Sequence, residues 1–524
     1  MYLRLARTLL TAEGNLMSNM HDDTNRVRTR AQRGAARRVL RDHPGPIGPI
    51  HEPLLRRRVA VGVDGRGALF LVRPDQVVLT LSDAQFGDLA ESVGADDPKT
   101  RAETVRNRVA ELIEVSRNDS SLVDDRSVVV GRSGQVVARL DVQETAVAGE
   151  RRWSLSEVAG VLDRWREVAG LTVQPSYVFM GDPLVTGNPV VVGNPVVVGN
   201  PVVVGNPVVV GNPVVVGNPS TIACLAMPAA AHPEMPERLG LMDGGGPRRV
   251  PVVAVLDTGL CTAGAGGVKP EHEALADAVR VHAGWRTSGT HGDQDDEDEP
   301  DDDASGVVDA TGGHGTFICG IVRQVCPDAE IHVEGVLSSF GDGDDGTVIA
   351  GVERLLDRVL AATGRGPDIV NLSFGGYTDD DEAPPLAVAI ERMLADTVVI
   401  SSAGNSGSPR PSFPAALPGV VAVGALGPNG RAWFSNYGGW VDACAPGIDV
   451  VSTYFTKHTE SAAPERTFEG WATWSGTSFA APKVAGAVAQ DMYLRTSSAY
   501  DAWKRLSHWT LHREPDLGIV FNQP

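Results

Sequence analysis

The chain has 524 residues, a formal net charge of −20 and 42% hydrophobic residues. A single domain usually has about 100–200 residues, so this length predicts at least two folded parts with tails or linkers, and no run of about 18 apolar residues offers a membrane span. The five cysteines are odd in number, scattered and without a CxxC pair, which argues against a disulfide framework and against a zinc site. Buried thiols in a reducing compartment are favoured instead.

Residues 1–58 are predicted to form a basic, poorly ordered tail. The first residues, MYLRLARTLLTAEG, lack a small-residue cleavage site, so we expect no secretory signal and a cytoplasmic protein, and secretion by an unrecognised route stays open. Ten arginines lie within residues 26–58 and could bind nucleic acid or an anionic surface. Because this stretch lacks interleaved aromatic residues and a nucleic-acid module, we expect a solvated tail and no nucleic-acid partner.

Residues 59–182 are predicted to form a small α+β domain. Residues 103–115 and 154–168 have apolar residues near helical spacing, and Ser154 and Glu157 fit a capping box at the start of the second helix. Six segments are typical of strands: VAVGVD, ALFLVRP, QVVLTL, SVVVG, QVVARLDV and LTVQPSYVFMG.

Residues 183–220 contain the hexapeptide GNPVVV five times without error, from Gly187 to Val216. A period of six also occurs in β-solenoids, but so few residues would make fewer than two coils. Proline at every sixth position also interrupts strand pairing. A semi-extended linker is therefore favoured.

Residues 221–524 alternate between strand and helix patterns. The predicted helices follow His314, cover 347–362 with Gly364 as the stop, and cover about 386–395. The predicted strands are VPVVAVLD, EIHVEGVLS, DIVNLSFG, TVVISSAGN and GVVAVGAL. This alternation predicts an α/β fold with a doubly wound, mostly parallel sheet, in which ligands bind at the carboxyl ends of the strands.

Three motifs in this second part carry residues that can perform chemistry: Asp257-Thr258-Gly259, His314-Gly315-Thr316 and Gly476-Thr477-Ser478-Phe479-Ala480-Ala481-Pro482. Alone, each has a simpler explanation: a turn after a strand, a capped histidine, or a helix start with proline in its first turn. Their order and placement together favour a catalytic triad.

The chemistry of the three side chains makes this hypothesis coherent. A serine hydroxyl needs a neighbouring base to become a nucleophile, and His314 could take the proton from Ser478. Asp257 would then fix the tautomer of the imidazole and stabilise its charged form. Backbone N–H groups at the helix start beside Ser478 could hold an oxyanion, with the side-chain amide of Asn405 as a second donor.

The segments VAVLDTG, GHGTFICGIV, ISSAGN and SGTSFAAPKVAG resemble the signature blocks of the subtilisin-like serine peptidases, over about residues 248–495. The chain order Asp, His, Ser also matches that family. The resemblance implies a serine endopeptidase for peptide or protein substrates, with Asp257, His314 and Ser478 as its triad and Asn405 as the oxyanion donor. It also implies that a substrate pairs as an added β-strand along Ser373, Gly375, Ser402 and Gly404.

One departure is the long stretch between Asp257 and His314, where residues 293–309 carry ten acids. Calcium binding is one interpretation, but the spacing defines no ligand set, so no cofactor is expected and the metal site is left unknown. A solvated acidic loop is favoured over steering of basic substrates. Four further histidines of this half have no motif context and are expected at the surface or in the core: His272, His282, His291 and His332.

The segment LTVQPSYVFMG resembles the closing strand of the inhibitory propeptides that precede many subtilisin-like domains. Residues 59–182 would then block the cleft until the linker is cut. The alternative is a domain that senses a partner in an intracellular protease. A different class of function is a catalytically inactive, peptide-binding subtilisin-like protein. The sequence does not predict the oligomeric state.

Overall fold

The structure is a computed structural model. It describes residues 59–63, 69–81, 128–130, 136–141, 172–181, 196–198, 202–204, 224–227, 231–239, 249–263, 269–280, 300, 306–378, 381–461, 467–509 and 512–521. The basic tail, the two helices predicted within 103–168 and most of the acidic stretch lie outside these residues.

The N-terminal strands are β1 (Ala60–Val63), β2 (Leu69–Leu81), β3 (Val128–Val130), β4 (Val136–Asp141) and β5 (Thr172–Gly181). All six predicted strand segments contribute to them. Two of these segments, ALFLVRP and QVVLTL, form the single strand β2, whose register against β5 shifts between Arg73 and Val77. Strand β2 pairs antiparallel with β1, β4 and β5.

Within the GNPVVV repeat, the described residues form β6 (Val196–Val198) and β7 (Val202–Val204), which pair antiparallel. The rest of the repeat lies outside the described residues, so its role as a linker stays a prediction.

The C-terminal half contains five described α-helices: α1 (His314–Val325), α2 (Asp345–Thr363), α3 (Ala387–Met393), α4 (Thr477–Arg495) and α5 (Ala499–Trp509). A short 3-10 helix covers Glu273–Leu275. The strands up to the third helix are β8 (Leu225–Ala226), β9 (Val252–Asp257), β10 (Val279–Arg280), β11 (Glu330–Gly335), β12 (Asp342–Asp344), β13 (Ile369–Leu372) and β14 (Phe374–Gly375).

The strands after it are β15 (Val398–Ser402), β16 (Val421–Gly427), β17 (Gly430–Arg431), β18 (Ala443–Pro446), β19 (Val450–Thr453), β20 (His458–Thr459), β21 (Thr467–Phe468), β22 (Trp471–Trp474), β23 (Arg513–Glu514) and β24 (Gly518–Val520). None of the described helices combines the length and hydropathy needed to cross a bilayer.

Ten strands form the main sheet, in the order β10-β11-β9-β13-β15-β16-β18-β24-β23, with β17 beside β16. The neighbours from β10 to β24 are parallel, as predicted for a doubly wound fold. The chain starts at β9, adds β11 on one side and then β13 and β15 on the other. The strand order therefore reverses beside β9, where open α/β sheets bind their ligands.

Strand β9 shows why this sheet is buried on both faces. Its alternate residues Val253 and Val255 belong to one apolar cluster, which includes residues of α1 and α4. Val252, Ala254 and Leu256 belong to a second cluster, which includes residues of α2, α3 and the N-terminal strands. A continuous apolar run is the expected pattern for such a strand.

Helix α2 ends at the predicted stop, Gly364, and begins two residues earlier than the predicted start at residue 347. The side chain of Asp344 accepts a hydrogen bond from the backbone N–H of Thr347, and Gly364 adopts the left-handed conformation with φ of 74°. The carboxylate of Asp345, the first helical residue, accepts hydrogen bonds from the N–H of Leu386 at 2.8 Å and of Tyr177 in β5 at 2.9 Å. This side chain therefore ties β5 to the C-terminal half.

Burial raises the pKa of Asp345 well above its usual value, because it penalises the ionised form. The pKa of an aspartate in the unfolded chain is about 3.9. A group whose pKa is higher in the folded protein stabilises the fold fully below that pH, and this contribution is lost as the pH rises through the folded-state pKa. We expect the free energy of unfolding of Asp345→Asn to fall less steeply with rising pH than that of the wild type, by about 1.4 kcal/mol for each unit of pKa shift.

Urea denaturation from about pH 4 to pH 8 measures this difference, with Asp357→Asn, at an exposed position of the same helix, as the matched control. Parallel pH profiles of the wild type and Asp345→Asn would show that Asp345 does not titrate as expected.

All five cysteines lie in the described part of the chain, where they are buried, as predicted, and form no disulfide. Burial raises the pKa of Cys326 and of Cys444 to about 12, so these thiols stay protonated near neutral pH. His272 and His332 are buried, and burial lowers the pKa of both. His282 and His291 lie outside the described residues.

Candidate active site

The structure brings Asp257 and His314 into direct contact at the reversal point of the sheet. Asp257 ends β9 and His314 begins α1, and Asp257 Oδ1 lies 2.6 Å from His314 Nδ1. Asp257 Oδ1 also accepts a hydrogen bond from the N–H of Thr258. Both side chains are fully buried, so the carboxylate orients the ring where water does not compete.

The glycines of the two motifs allow the start of α1 to lie close to the DTG turn after β9. The hydroxyl oxygen of Thr258 accepts a hydrogen bond from the N–H of Gly315 at 2.9 Å, which joins the DTG turn to the start of α1. A Cβ atom added to Gly315 would lie 2.2 Å from the carbonyl oxygen of Gly259. Only glycine fits this contact, because the atom opposite belongs to the backbone and cannot move alone.

We therefore expect Gly315→Ala to displace α1 from β9 and to lower the free energy of unfolding by about 1–3 kcal/mol. Because it separates His314 from Asp257, it should also lower the rate of the peptide hydrolysis that the motifs predict, at least tenfold. Chemical denaturation and peptide hydrolysis measure the two effects. Gly366→Ala is the matched control, because a Cβ atom there meets nothing within 4 Å. Equal stability and activity of the two variants would contradict the proposed close contact.

Aromatic side chains enclose the imidazole of His314. The ring of Trp474 meets it edge-on at 5.5 Å between centroids, and the ring of Phe479 lies at 5.2 Å. These contacts restrict how the imidazole can turn and keep its surroundings apolar.

Ser478 is the second residue of α4, so it lies at a helix N-terminus, as predicted, and it is fully buried. Its hydroxyl donates to the carbonyl oxygen of Ser373 at 3.1 Å. His314 Nε2 makes no hydrogen bond within the described part of the chain. Transfer of the Ser478 proton to His314 therefore requires the hydroxyl to turn away from Ser373.

Ser373 also compensates for a proline inside α4. Pro482 is the sixth residue of the helix and so lies beyond the first turn, where the sequence had placed it. It lacks the N–H that would bond to the carbonyl of Ser478. The hydroxyl of Ser373 donates to that carbonyl instead, at 2.9 Å, and accepts a hydrogen bond from the side-chain amide of Asn371. Ser373 thus holds the backbone of Ser478 in place.

Asn405 follows β15 and lies beside the start of α4. Its amide oxygen accepts hydrogen bonds from the N–H and the hydroxyl of Thr477, both at 2.9 Å. These bonds set which end of the amide faces Thr477, so the NH₂ group points away from it. Sequence analysis missed Thr477 in this role, although it directly precedes Ser478.

Strand β5 lies between β12 and β14, and the space between these two strands is called the groove below. At Met180 it pairs antiparallel with β12 on one edge, opposite Asp342, and with β14 on the other, opposite Gly375. The N–H of Gly181 donates to the carbonyl of Gly341 at 2.7 Å. Gly375, predicted to bind substrate, thus pairs with a strand of the same chain.

The last two predicted cleft residues lie at the end of β15. Gly404 has a φ of 101°, and its N–H donates to the hydroxyl of Thr477 at 3.1 Å. Ser402 is buried and pairs with Val423 of β16. Their contact with a substrate stays a prediction. The described residues contain no group of three or more His, Cys, Asp or Glu side chains that could hold a metal ion.

The family model described as "Subtilase family" matches residues 248–518, slightly more than half of the chain. The chain belongs to the subtilase family. This membership confirms the resemblance found in the sequence blocks, and the mostly parallel sheet of ten strands confirms the α/β fold expected of a subtilase.

Curated relatives agree with this assignment. The subtilase region is 34% identical over 192 residues to subtilisin DY of Bacillus licheniformis, a match that covers 34% of this chain and 62% of that protein. It is 34% identical over 188 residues to the thermophilic serine proteinase of Bacillus sp. (strain AK1), with 34% and 41% covered. The match thus spans less than two thirds of these relatives.

A solved structure described as a cold adapted subtilisin-like serine proteinase is 24% identical to this subtilase, with a TM-score of 0.39. The match covers 55% of this chain and 96% of that chain.

Proposed function

We propose that the protein is a serine endopeptidase that hydrolyses peptide bonds through an acyl-enzyme. His314 takes the proton of Ser478 Oγ as this oxygen attacks the peptide carbonyl, and later delivers the proton to the leaving amine. Asp257 stabilises the charged imidazole. Asn405 and the N–H groups at the start of α4 hold the oxyanion.

The observation that carries this proposal is the contact between Asp257 and His314 at the end of the sheet that also presents Asn405 next to Thr477 and Ser478. A buried Asp–His pair, a serine at a helix N-terminus and a side-chain amide beside it supply the base, nucleophile and oxyanion donors of acyl transfer. Membership in the subtilase family supports the same chemistry.

The proposal includes inhibition by the N-terminal region, because β5 occupies the groove in which a substrate would form an added strand. Gly181, at the end of β5, pairs with Phe374, directly after Ser373, whose carbonyl contacts Ser478. A peptide could reach Ser478 along this groove only after β5 has left. The protein would therefore be a zymogen.

A full chain with the recognition sequence of a site-specific protease inserted in the GNPVVV repeat tests both parts of the proposal. Hydrolysis of a fluorogenic peptide is measured before the cut, after the cut and dilution, and after purified residues 59–182 are added back. We expect activity to rise at least tenfold after the cut and to fall on addition.

Equal rates in the three states would overturn inhibition while leaving the peptidase proposal intact. If no state hydrolyses peptides although the protein remains folded, the peptidase proposal fails and a peptide-binding function is favoured.

A further inference from the structure

A buried ion pair joins the N-terminal region to one wall of the groove. The guanidinium of Arg73 in β2 lies 2.8 Å from Asp342 Oδ2 and 3.2 Å from Asp344 Oδ2 in β12. The side chains of Asp342 and Asp344 are 0% and 6% exposed. The subtilase region thus supplies two carboxylates and the N-terminal region supplies their cation.

The electrostatics of Arg73 show that the three groups act together. Burial alone lowers the pKa of this guanidinium, but the charges of and hydrogen bonds to Asp344 and Asp342 more than offset that effect and raise it. Asp342 also accepts a hydrogen bond from the hydroxyl of Ser338, and Asp344 accepts two from Thr347. These bonds orient both carboxylates so that their other oxygen atoms face Arg73, and β12 thus presents two fixed acceptors for a cation.

The register places the same carboxylates beside the strand that fills the groove. Asp342 lies opposite Met180 and Asp344 lies opposite Val178. Directly opposite residues of an antiparallel pair extend to the same face, with Cβ atoms about 4.5–5.5 Å apart. Met180 and Val178 have apolar side chains and do not supply the cation themselves. The cation is Arg73 of β2, which pairs with Ser176 of β5. The cation therefore comes from the neighbouring strand.

A substrate strand that replaces β5 would have no β2 beside it. The two carboxylates would lose Arg73, and substrate side chains at alternate positions would lie opposite them. We infer, on the basis of the proposed peptidase function, that Asp342 and Asp344 select substrates with lysine or arginine at these positions. Substrate positions are counted from the scissile bond toward the N-terminus of the substrate. If the substrate residue opposite Ser373 is the first of these, the residue that replaces Met180 is the third and the residue that replaces Val178 is the fifth.

The test measures binding separately from hydrolysis. The protein used is the full chain with the cleavable repeat and the substitution Ser478→Ala, cut after folding. It is titrated with fluorescent peptides that have phenylalanine at the fourth position, because β5 has Phe179 there. The peptides have glutamine, lysine or glutamate at the third or the fifth position. We expect lysine to bind about tenfold more tightly than glutamine, and glutamate more weakly.

Two variants assign each preference to its carboxylate. Asp342→Asn should remove the lysine preference at the third position and Asp344→Asn that at the fifth, whereas the exposed Asp357→Asn should keep both. Because asparagine at a buried site can disturb folding, the comparison of lysine, glutamine and glutamate peptides in the protein without these substitutions stands as an independent measurement. We expect Arg73→Gln to weaken retention of the N-terminal fragment, because it removes the ion pairs to Asp342 and Asp344, so that peptides can enter the groove.

Equal affinities of the lysine, glutamine and glutamate peptides, or a lysine preference that persists in both Asp→Asn variants, would overturn the inference. So would failure of every peptide to bind the cut Arg73→Gln protein. Selective binding by the Ser478→Ala protein, combined with no hydrolysis by the protein that keeps Ser478, would instead uphold these positions and overturn the peptidase proposal.

Discussion

Ser478→Ala is expected to abolish peptide hydrolysis while leaving the fold intact. The substitution removes the proposed nucleophilic oxygen, and the carbonyl oxygen of Ser373 loses the bond from the Ser478 hydroxyl. The helix contact survives, because Ser373 Oγ donates to the backbone carbonyl of residue 478. In subtilisin, loss of the nucleophilic serine lowers kcat by about 2 × 10⁶-fold, and we expect a loss of similar order.

The measurement is kcat and KM for a fluorogenic peptide with the cut protein, together with the urea midpoint of each variant. Ser507→Ala is a matched control on α5, where the hydroxyl bonds to the carbonyl of Lys504 in its own helix. A Ser478→Ala protein that retains more than about one thousandth of wild-type kcat would exclude Ser478 as the nucleophile.

Asn405→Leu is expected to lower kcat by about 10²–10³-fold with little change in KM. This range is the one found for the oxyanion asparagine of subtilisin. Leucine has a similar volume but no amide donor, so the oxyanion would lose one of its hydrogen bonds in the transition state. The ground-state contacts along β12 and β14 are made by other residues, and KM should therefore change little.

A second variant separates the donor of Asn405 from its attachment to Thr477. Thr477→Val removes the hydroxyl that donates to Asn405 Oδ1 but keeps the backbone N–H that also donates there. We expect a decrease in kcat of about tenfold, from looser orientation of the amide. A larger loss in Thr477→Val than in Asn405→Leu, or a loss confined to KM in Asn405→Leu, would contradict the role of Asn405 as oxyanion donor.

Local sequence patterns were sufficient to predict five strands of the main sheet, β9, β11, β13, β15 and β16, and the elements on which the candidate site residues lie. The apolar run before Asp257 predicted a strand buried on both faces, and β9 packs into two apolar clusters. The cap at the start of α2 and Gly364 at its end involve only neighbouring residues, and the predicted stop at Gly364 is confirmed.

Features that depend on contacts between distant parts of the chain were not predicted. Arg73 and Asp342 are 269 residues apart, and neither stands in a motif that indicates a partner. The pairing of β5 with β12 and β14 is equally non-local. The resemblance of β5 to a propeptide strand suggested that it could block a cleft but gave no register.

The placement of Pro482 in the first turn of α4 was wrong for a related reason. Pro482 suggested a first-turn position, because proline lacks the N–H that a helix interior requires. The carbonyl that this proline cannot pair is satisfied by Ser373, 105 residues earlier in the chain. Short strands such as β19 and β22 are defined by their pairing with each other and have too few residues for a clear alternating pattern.

Mass spectrometry of the cut protein after reaction with a fluorophosphonate tests the assignment of the nucleophile most directly. We predict a single adduct on the peptide that contains Ser478, formed much more slowly when residues 59–182 are present in excess, and no adduct in the Ser478→Ala protein. An adduct on a different serine, or equal labelling of the Ser478→Ala protein, would contradict it.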